Sequence, residues 1–240
     1  MPRTMRTFAK NIINFFFRPL GLEVRRYTPP LDTLAWLRHR GIKTVLDVGA
    51  NTGQFAREIR KKLPDAMIYS FEPVKKSFDE LVRTMAGDSR FKAFHCGIGD
   101  ADTESIINVS RYSLSSSLLT MAPLHEEAFP HTKGSTPETI TVRKLDSILA
   151  DLSCEKNILL KIDVQGYEDK VITGGAKTIA ECEALIVETS FYPLYEGQPL
   201  FERVYERLGA LGFNYSGNGY GKKHPRNQEV VSDDSFFVRK

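Results

Sequence analysis

Cysteine is scarce in this chain. Its three copies, Cys96, Cys154 and Cys182, are far apart and odd in number. They show no zinc spacing and no disulfide framework, so a reducing compartment, the cytoplasm, is expected. Charge of one sign is scarce too: 33 Lys and Arg face 30 Asp and Glu, a net charge of +3. Nucleic-acid binding draws on a concentrated basic face. None is readable here, so no nucleic-acid partner is expected. Long apolar runs are also missing. Ile12–Phe17 is a short one, far below the roughly 20 residues that span a bilayer. No small-residue cleavage site follows it, so no signal peptide is expected. No internal repeat and no dividing linker interrupts the chain.

What is present fits one α/β domain. The 240 residues suffice for a large core, and the apolar share of 41% is ordinary. Phe8, Ile12, Phe16 and Leu20 recur at every fourth position among basic residues, one face of a helix. That helix either packs on the domain or lies on a membrane as a basic amphipathic segment at its inner face. Tyr27–Pro30 ends it, and Leu31–Leu37 suggests a second helix ended by Gly41. Residues 1–40 are thus expected as a helical segment and 41–240 as a single domain. Strands are expected at 44–48, 67–71, 92–96, 158–163 and 184–189, and helices at 53–63, 75–86, 168–180 and 200–212. Such alternation means a parallel sheet with helices on both faces. The stretch 101–145 breaks the rhythm with two extra strands, "ESIINVS" and "TITVRKL", around a polar loop. The C-terminus reads as two closing strands joined by a glycine-rich loop.

"TVLDVGANTGQF", Thr44 to Phe55, is a strand feeding a tight loop. In open parallel sheets, ligands sit outside the carboxyl ends of the strands. A phosphate loop requires Lys and then Ser or Thr after its second glycine, and here Gln54 and Phe55 follow Gly53. A dinucleotide fingerprint, counted from Gly49, would need glycine where Asn51 and Gln54 stand. S-adenosylmethionine carries no phosphate and fits better. Gly49 and Gly53 allow close backbone approach, and Asp47 offers a partner for an ammonium group. Glu72, 19 residues after Gly53, sits near the roughly 20-residue offset of a ribose-binding acid.

"VLDVGANTGQF", "FEP", "LLKIDVQGYE" and "ETSFYPLYEGQ", in this order, resemble the FkbM family of methyltransferases. The resemblance runs from about Thr44 to Phe237. It implies a Rossmann-like class I methyltransferase fold: a seven-stranded, mostly parallel sheet with helices on both faces, its last strand antiparallel, plus a β-rich insert. It implies an S-adenosylmethionine-dependent methyltransferase, commonly acting on a hydroxyl of a sugar, glycan or natural product. Carried over as cofactor contacts are Asp47, Gly49, Ala50, Asn51, Gly53, Glu72 and Pro73, with Gly99 and Asp100 placed at the adenine. Family patterns often have Glu where this chain has Gln165, which leaves that position's role open.

A hydroxyl acceptor must lose its proton, and a placed base contributes about 10²–10⁴-fold. Asp163, at the end of the "ILLKID" strand, is the first candidate. Lys161 lies two residues earlier on the same strand face. It would pair with Asp163 or lower the acceptor's pKa. Glu188 is a third catalytic candidate, at the next strand's end. Asp163 and Glu188 are also the pair that would hold Mg²⁺, although no compact carboxylate cluster supports a metal. His125 and His131 are weaker base candidates. Ser115, Ser116 and Ser117 either contact a ligand or support a turn. Tyr192 and Tyr195 either stack on a sugar or pack. Two other functions stay open: a nucleotide-dependent oxidoreductase, and a non-catalytic cofactor-binding module.

Overall fold

In the computed structural model of the protein, residues 14, 15, 17–21, 32–152, 154–219 and 221–240 are described. The chain forms two compact units, Met1–Asp32 and Thr33–Lys240. Leu34 and Leu37 are buried in the core of the larger unit, so residues 33–40 belong with it. In the smaller unit a short 3₁₀ helix covers Arg18–Leu20, and Phe15 and Phe17 are exposed. Phe8, Ile12 and Phe16 of the expected amphipathic face, and the Tyr27–Pro30 break, lie outside the described residues.

Five parallel strands make the centre: β1 (Thr44–Val48), β2 (Met67–Phe71), β3 (Phe91–Phe94), β7 (Ile158–Ile162) and β8 (Cys182–Ser190). β11 (Val230–Arg239) runs antiparallel beside β8. Beyond it lie β9 (Phe213–Asn218) and the two-residue β10 (Lys222–Lys223). The order is β3-β2-β1-β7-β8-β11, with β9 and β10 together on the outer side of β11. The sheet is therefore seven positions wide, the expected width, with eight strands because the last position is split. β1 and β7 are buried along their whole length, as parallel strands covered on both faces must be.

Helices α1 (Gln54–Lys62) and α2 (Lys75–Thr84) cover one face, burying Ala56, Ile59 and Leu81. Val45, Ile68, Leu159 and Ile186 meet them from the sheet. On the other face, α5 (Glu168–Gly174), α6 (Ala176–Ala180) and α7 (Phe201–Ala210) pack over Leu46, Leu160 and Leu185. The single helix expected at 168–180 is two, interrupted at Gly175. A Cβ on Gly174 would fall 1.8 Å from the Gly99 carbonyl oxygen, so that turn lies directly on the 99–100 backbone. The expected N-terminal second helix is a 3₁₀ segment, Ala35–His39.

The irregular stretch is a small sheet of its own. β5 (Thr103–Ser110) and β6 (Ser135–Arg143) pair antiparallel, and β4 (Gly97–Ile98) joins β6. Between β5 and β6 lie a 3₁₀ turn at Ser113–Ser115 and α3 (Pro123–Ala128). α4 (Leu145–Ala150) leads back into β7.

Candidate active site

The cleft opens where β1 and β2 end. The chain turns at Gly49 (φ +83°) and Asn51 (φ +46°), a left-handed conformation that glycine and asparagine tolerate best. Gly49 and Ala50 both donate to the Phe71 carbonyl, at 3.1 and 3.0 Å, which ties the loop to β2. Glu72 follows directly. Its Oε2 accepts from the Asn51 N–H at 2.8 Å and its Oε1 from the Val74 N–H at 2.9 Å. Burial pushes its carboxyl up to about 7, against the pull of those two N–H groups. Asn51 Oδ1 accepts from Thr52 N at 2.8 Å and from Ser113 Oγ at 3.1 Å, so the insert reaches the glycine loop.

These residues line a cleft of about 620 Å³, counted with its open mouth. Of the expected cofactor contacts, Gly49, Asn51, Glu72 and Pro73 are on its wall, together with Asp163. Five others are off the wall. Asp47 is fully buried, accepts from Ser70 Oγ at 3.1 Å, and has its other oxygen unpartnered. Ala50 packs into the core, and Gly53 caps α1 against Leu81 and Thr84. Gly99 is wedged against Val142 and Tyr167, and Asp100 pairs with Lys170 at 2.9 Å. Gly97 and Ile98, just before them in the chain, are on the wall.

The catalytic candidates converge on one face. Side chains two apart on a strand share a face, so Asp47, Ser70, Lys161 and Glu188 continue the rows begun by Val45, Ile68, Leu159 and Ile186. Lys161 Nζ donates to Asp163 Oδ2 at 3.0 Å and stands 5.3 Å from the Phe55 ring centre. Burial works against this ammonium, yet Asp163 and Asp47 hold it up at about 12. Gln165 bridges the two carboxylates. Its Nε2 donates to Asp163 Oδ1 at 2.7 Å and also to Glu188 Oε2. Tyr195 OH donates to Gln165 Oε1 at 3.0 Å and so fixes which way the amide points. Lys222 Nζ donates to Glu188 Oε1.

The two acids part company. Burial raises both, but the Lys161 and Lys222 ammoniums hold Asp163 well below the ordinary carboxylate range. Glu188 is pushed up to about 8 by burial and by the Asp163 charge. Mg²⁺ does not fit here: Lys161, Gln165 and Lys222 already donate to the oxygens that would bind it. Among the described residues no three His, Cys, Asp or Glu side chains form a metal-binding group.

Of the side chains around this cluster, Glu168 and Ser113 escape sequence reasoning. Gln165, whose role the sequence left open, is the centre of the cluster. Glu168 is buried and accepts from the Gly166 N–H at 3.0 Å. It thereby holds the left-handed Gln165–Gly166 turn (φ +55° and +99°). Ser113 touches the cofactor loop and Ser116 lines the cleft, whereas Ser117 supports a turn, donating to the Gln165 carbonyl at 2.6 Å. Ser115 is buried, and its carbonyl accepts from Tyr195 OH at 3.3 Å. Tyr195 itself is buried, and Tyr192 is exposed, donating to Glu229 at 3.2 Å. His125 is 3% exposed, with neither ring nitrogen hydrogen-bonded, between the Phe129 and Tyr195 rings. His131 packs edge-on to Tyr112. Neither histidine lines the cleft.

The sheet order, the glycine turn tied to a buried strand-end acid, and an acid-lined cleft at the strand ends define a class I methyltransferase-like domain. The model described as the methyltransferase FkbM domain matches residues 47–215, more than half of the chain, and the chain belongs to that family. It is 28% identical over 161 residues to the 2-O-methyltransferase NoeI of Sinorhizobium fredii, over 64% of this chain and 66% of that protein. It is 29% identical over 153 residues to the methyltransferase sdnD of Sordaria araneosa, over 54% of this chain and 59% of that protein. The chain thus spans less than two thirds of these relatives' length. Among solved structures it is similar to magnesium protoporphyrin IX methyltransferase of Synechocystis with bound SAM, at 14% identity and a TM-score of 0.48, covering 96% of this chain and 97% of that one.

Glu72 supplies the first test of the cleft. Glu72→Ala removes a charged acceptor, worth about 1.5–3 kcal/mol per hydrogen bond. S-adenosylmethionine affinity is expected to fall about tenfold or more. Calorimetry giving the wild-type Kd would remove Glu72 from the ribose site.

Proposed function

We propose that this protein is an S-adenosylmethionine-dependent O-methyltransferase acting on a hydroxyl of a sugar, glycan or other small molecule. The observation that carries the reading is continuity: one cleft runs from the Gly49–Glu72 turn to Asp163 and Gln165, and Glu188 hangs on Gln165. Family membership supports methyl transfer, and the S. fredii relative is by name a 2-O-methyltransferase. Asn51 and Glu72 would hold the cofactor's ribose, and Gly49 would let backbone approach its methionine part. When bound, S-adenosylmethionine supplies an activated methyl group. The chain's own task is alignment, which contributes roughly 7–11 kcal/mol, and proton removal. Asp163 is too strongly held ionised to be a good base. Glu188 stands behind Gln165, off the cleft wall, so the acceptor would reach it where the Gln165 amide gives way; its carboxyl, pushed up to about 8, then suits a base at neutral pH. In this reading Asp163 and Lys161 position the cluster and the acceptor.

Incubation with S-adenosylmethionine and a panel of hydroxylated glycans should give a product heavier by one methylene, read by mass spectrometry. No product from any hydroxylated acceptor would remove the assignment. A dinucleotide that bound by calorimetry where S-adenosylmethionine did not would favour the oxidoreductase reading.

The reading includes a cytoplasmic location, consistent with three free cysteines, and contact of the N-terminal segment with the inner membrane face. A chain beginning at Thr33 keeps Leu34, Leu37 and the whole cleft. It is expected to bind S-adenosylmethionine as the full chain does but to lose co-sedimentation with anionic liposomes. Equal sedimentation of both forms would end the membrane part.

A further inference from the structure

Each methyl group transferred to a hydroxyl releases one proton, and here the proton starts inside the protein. The Glu188 side chain is 10% exposed, whereas that of Lys222, its ion-pair partner, is 52% exposed. Lys222 comes from the short edge strand β10, and the register against β11 shifts between Lys222 and Lys223. A bulge of this kind re-aims neighbouring side chains. Lys222 turns in to donate to Glu188, and Lys223 remains exposed. Gly221 brings the strand in: a Cβ there would fall 2.5 Å from Val230 Cγ1.

The surroundings of Glu188 otherwise disfavour its charge. Asp234 stands opposite it on β11. Asp163 approaches from β7, with Lys161 pairing Asp163 rather than Glu188. Gln165 and Tyr195 face it from the two loops after β7 and β8, and both are neutral. Lys222 is the cation in direct contact with it.

We propose that Lys222 is a positioning residue for proton removal, favouring the ionised form of Glu188 between two acids and linking it to solvent at the sheet edge. The inference rests on the function proposed above. In the step, the acceptor oxygen–carbon bond forms as the methyl carbon–sulfur bond breaks. The sulfur ends as a neutral thioether. The hydroxyl proton passes to Glu188 and from there to water beside Lys222. Lys222 keeps its own protons throughout and acts by charge.

Two variants test this, Lys222→Met and Lys222→Arg. The measurements are kcat against pH, S-adenosylmethionine Kd by calorimetry, and infrared titration of the Glu188 carboxyl, identified as the band lost in Glu188→Gln. In Lys222→Met, the acid limb of kcat and the infrared midpoint should both move up by about one pH unit or more, the shift expected when an adjacent opposite charge is lost. Activity should recover above the new midpoint, and Kd should be unchanged. Lys222→Arg should restore the wild-type midpoint. An unmoved midpoint in Lys222→Met would overturn the proposal. So would an equal loss at every pH accompanied by lost cofactor binding, which marks a structural role. Should wild-type protein transfer no methyl group, the function falls separately, and the infrared midpoint alone decides the Lys222–Glu188 pairing.

Discussion

Gly49→Ala is expected to lower the unfolding midpoint sharply and to abolish cofactor binding. An alanine Cβ there would fall 1.9 Å from the Asp163 carbonyl oxygen and 2.8 Å from its carbonyl carbon. Both atoms are backbone and cannot swing aside. The turn is held from both sides: Gly49 N donates to Phe71 O at 3.1 Å, and Asp163 N donates to Val48 O at 3.0 Å. Alanine must therefore prise β1 from β7 while adopting a positive φ. Overpacking and backbone strain of this kind together cost about 3 kcal/mol or more. Gly53→Ala is the comparison. It also has a positive φ, but its Cβ meets only the side chains of Leu81 and Thr84, at 3.0 and 3.2 Å. Its cost should be nearer 1 kcal/mol, about that of a strained backbone alone. Thermal unfolding and calorimetry of both variants decide the matter, and a Gly49→Ala protein with wild-type stability and Kd would contradict the strand-end geometry.

Glu188→Gln is expected to lower kcat by about 10²-fold or more with little change in cofactor Kd. The base must be unprotonated to act, so wild-type kcat should rise with pH through a limb near 8, and Glu188→Gln should lose that limb. Asp163→Asn should behave differently. It takes from the buried Lys161 ammonium its hydrogen-bonded counter-ion and leaves Asp47 and Asp234 to offset it, and breaking a buried pair costs up to about 3–5 kcal/mol. Its stability should fall along with its turnover, while the limb set by Glu188 moves to lower pH, because a neighbouring negative charge has gone. If instead Asp163→Asn removes the limb and Glu188→Gln keeps it, the roles of the two acids are exchanged.

Much of the fold was legible in the chain because its signals are local. Apolar runs such as "TVLDV" and "ILLKI" show both-face burial directly, and the helices between them carry an apolar stripe with basic flanks. The Gly49–Gly53 turn and Glu72 were readable for the same reason: a tight turn constrains its own residues, and the offset to the second strand's acid is set by one strand–helix–strand unit. The break at Gly175 was not readable. It depends on the approach of Gly174 to the Gly99 carbonyl, some 75 residues away in sequence.

The sequence by itself determined which acids and lysines end up on the same face, because alternation along a strand is a property of the backbone. It placed Lys161 beside Asp163, and the 3.0 Å contact follows from that spacing. Tertiary structure alone decided what each group does. Asp47 looks like Glu72 as a strand-end acid, yet one is sealed under Ser70 and the other lines the cleft. Gln165 reaches both carboxylates only because Tyr195 orients its amide and Glu168 holds its turn. Lys222 arrives from an edge strand whose place is fixed by β11, long after the site's other residues in the chain. These roles depend on charge, burial and contact across distant segments, and the separation of Asp163 from Glu188 in proton affinity exists only once the sheet has brought them together.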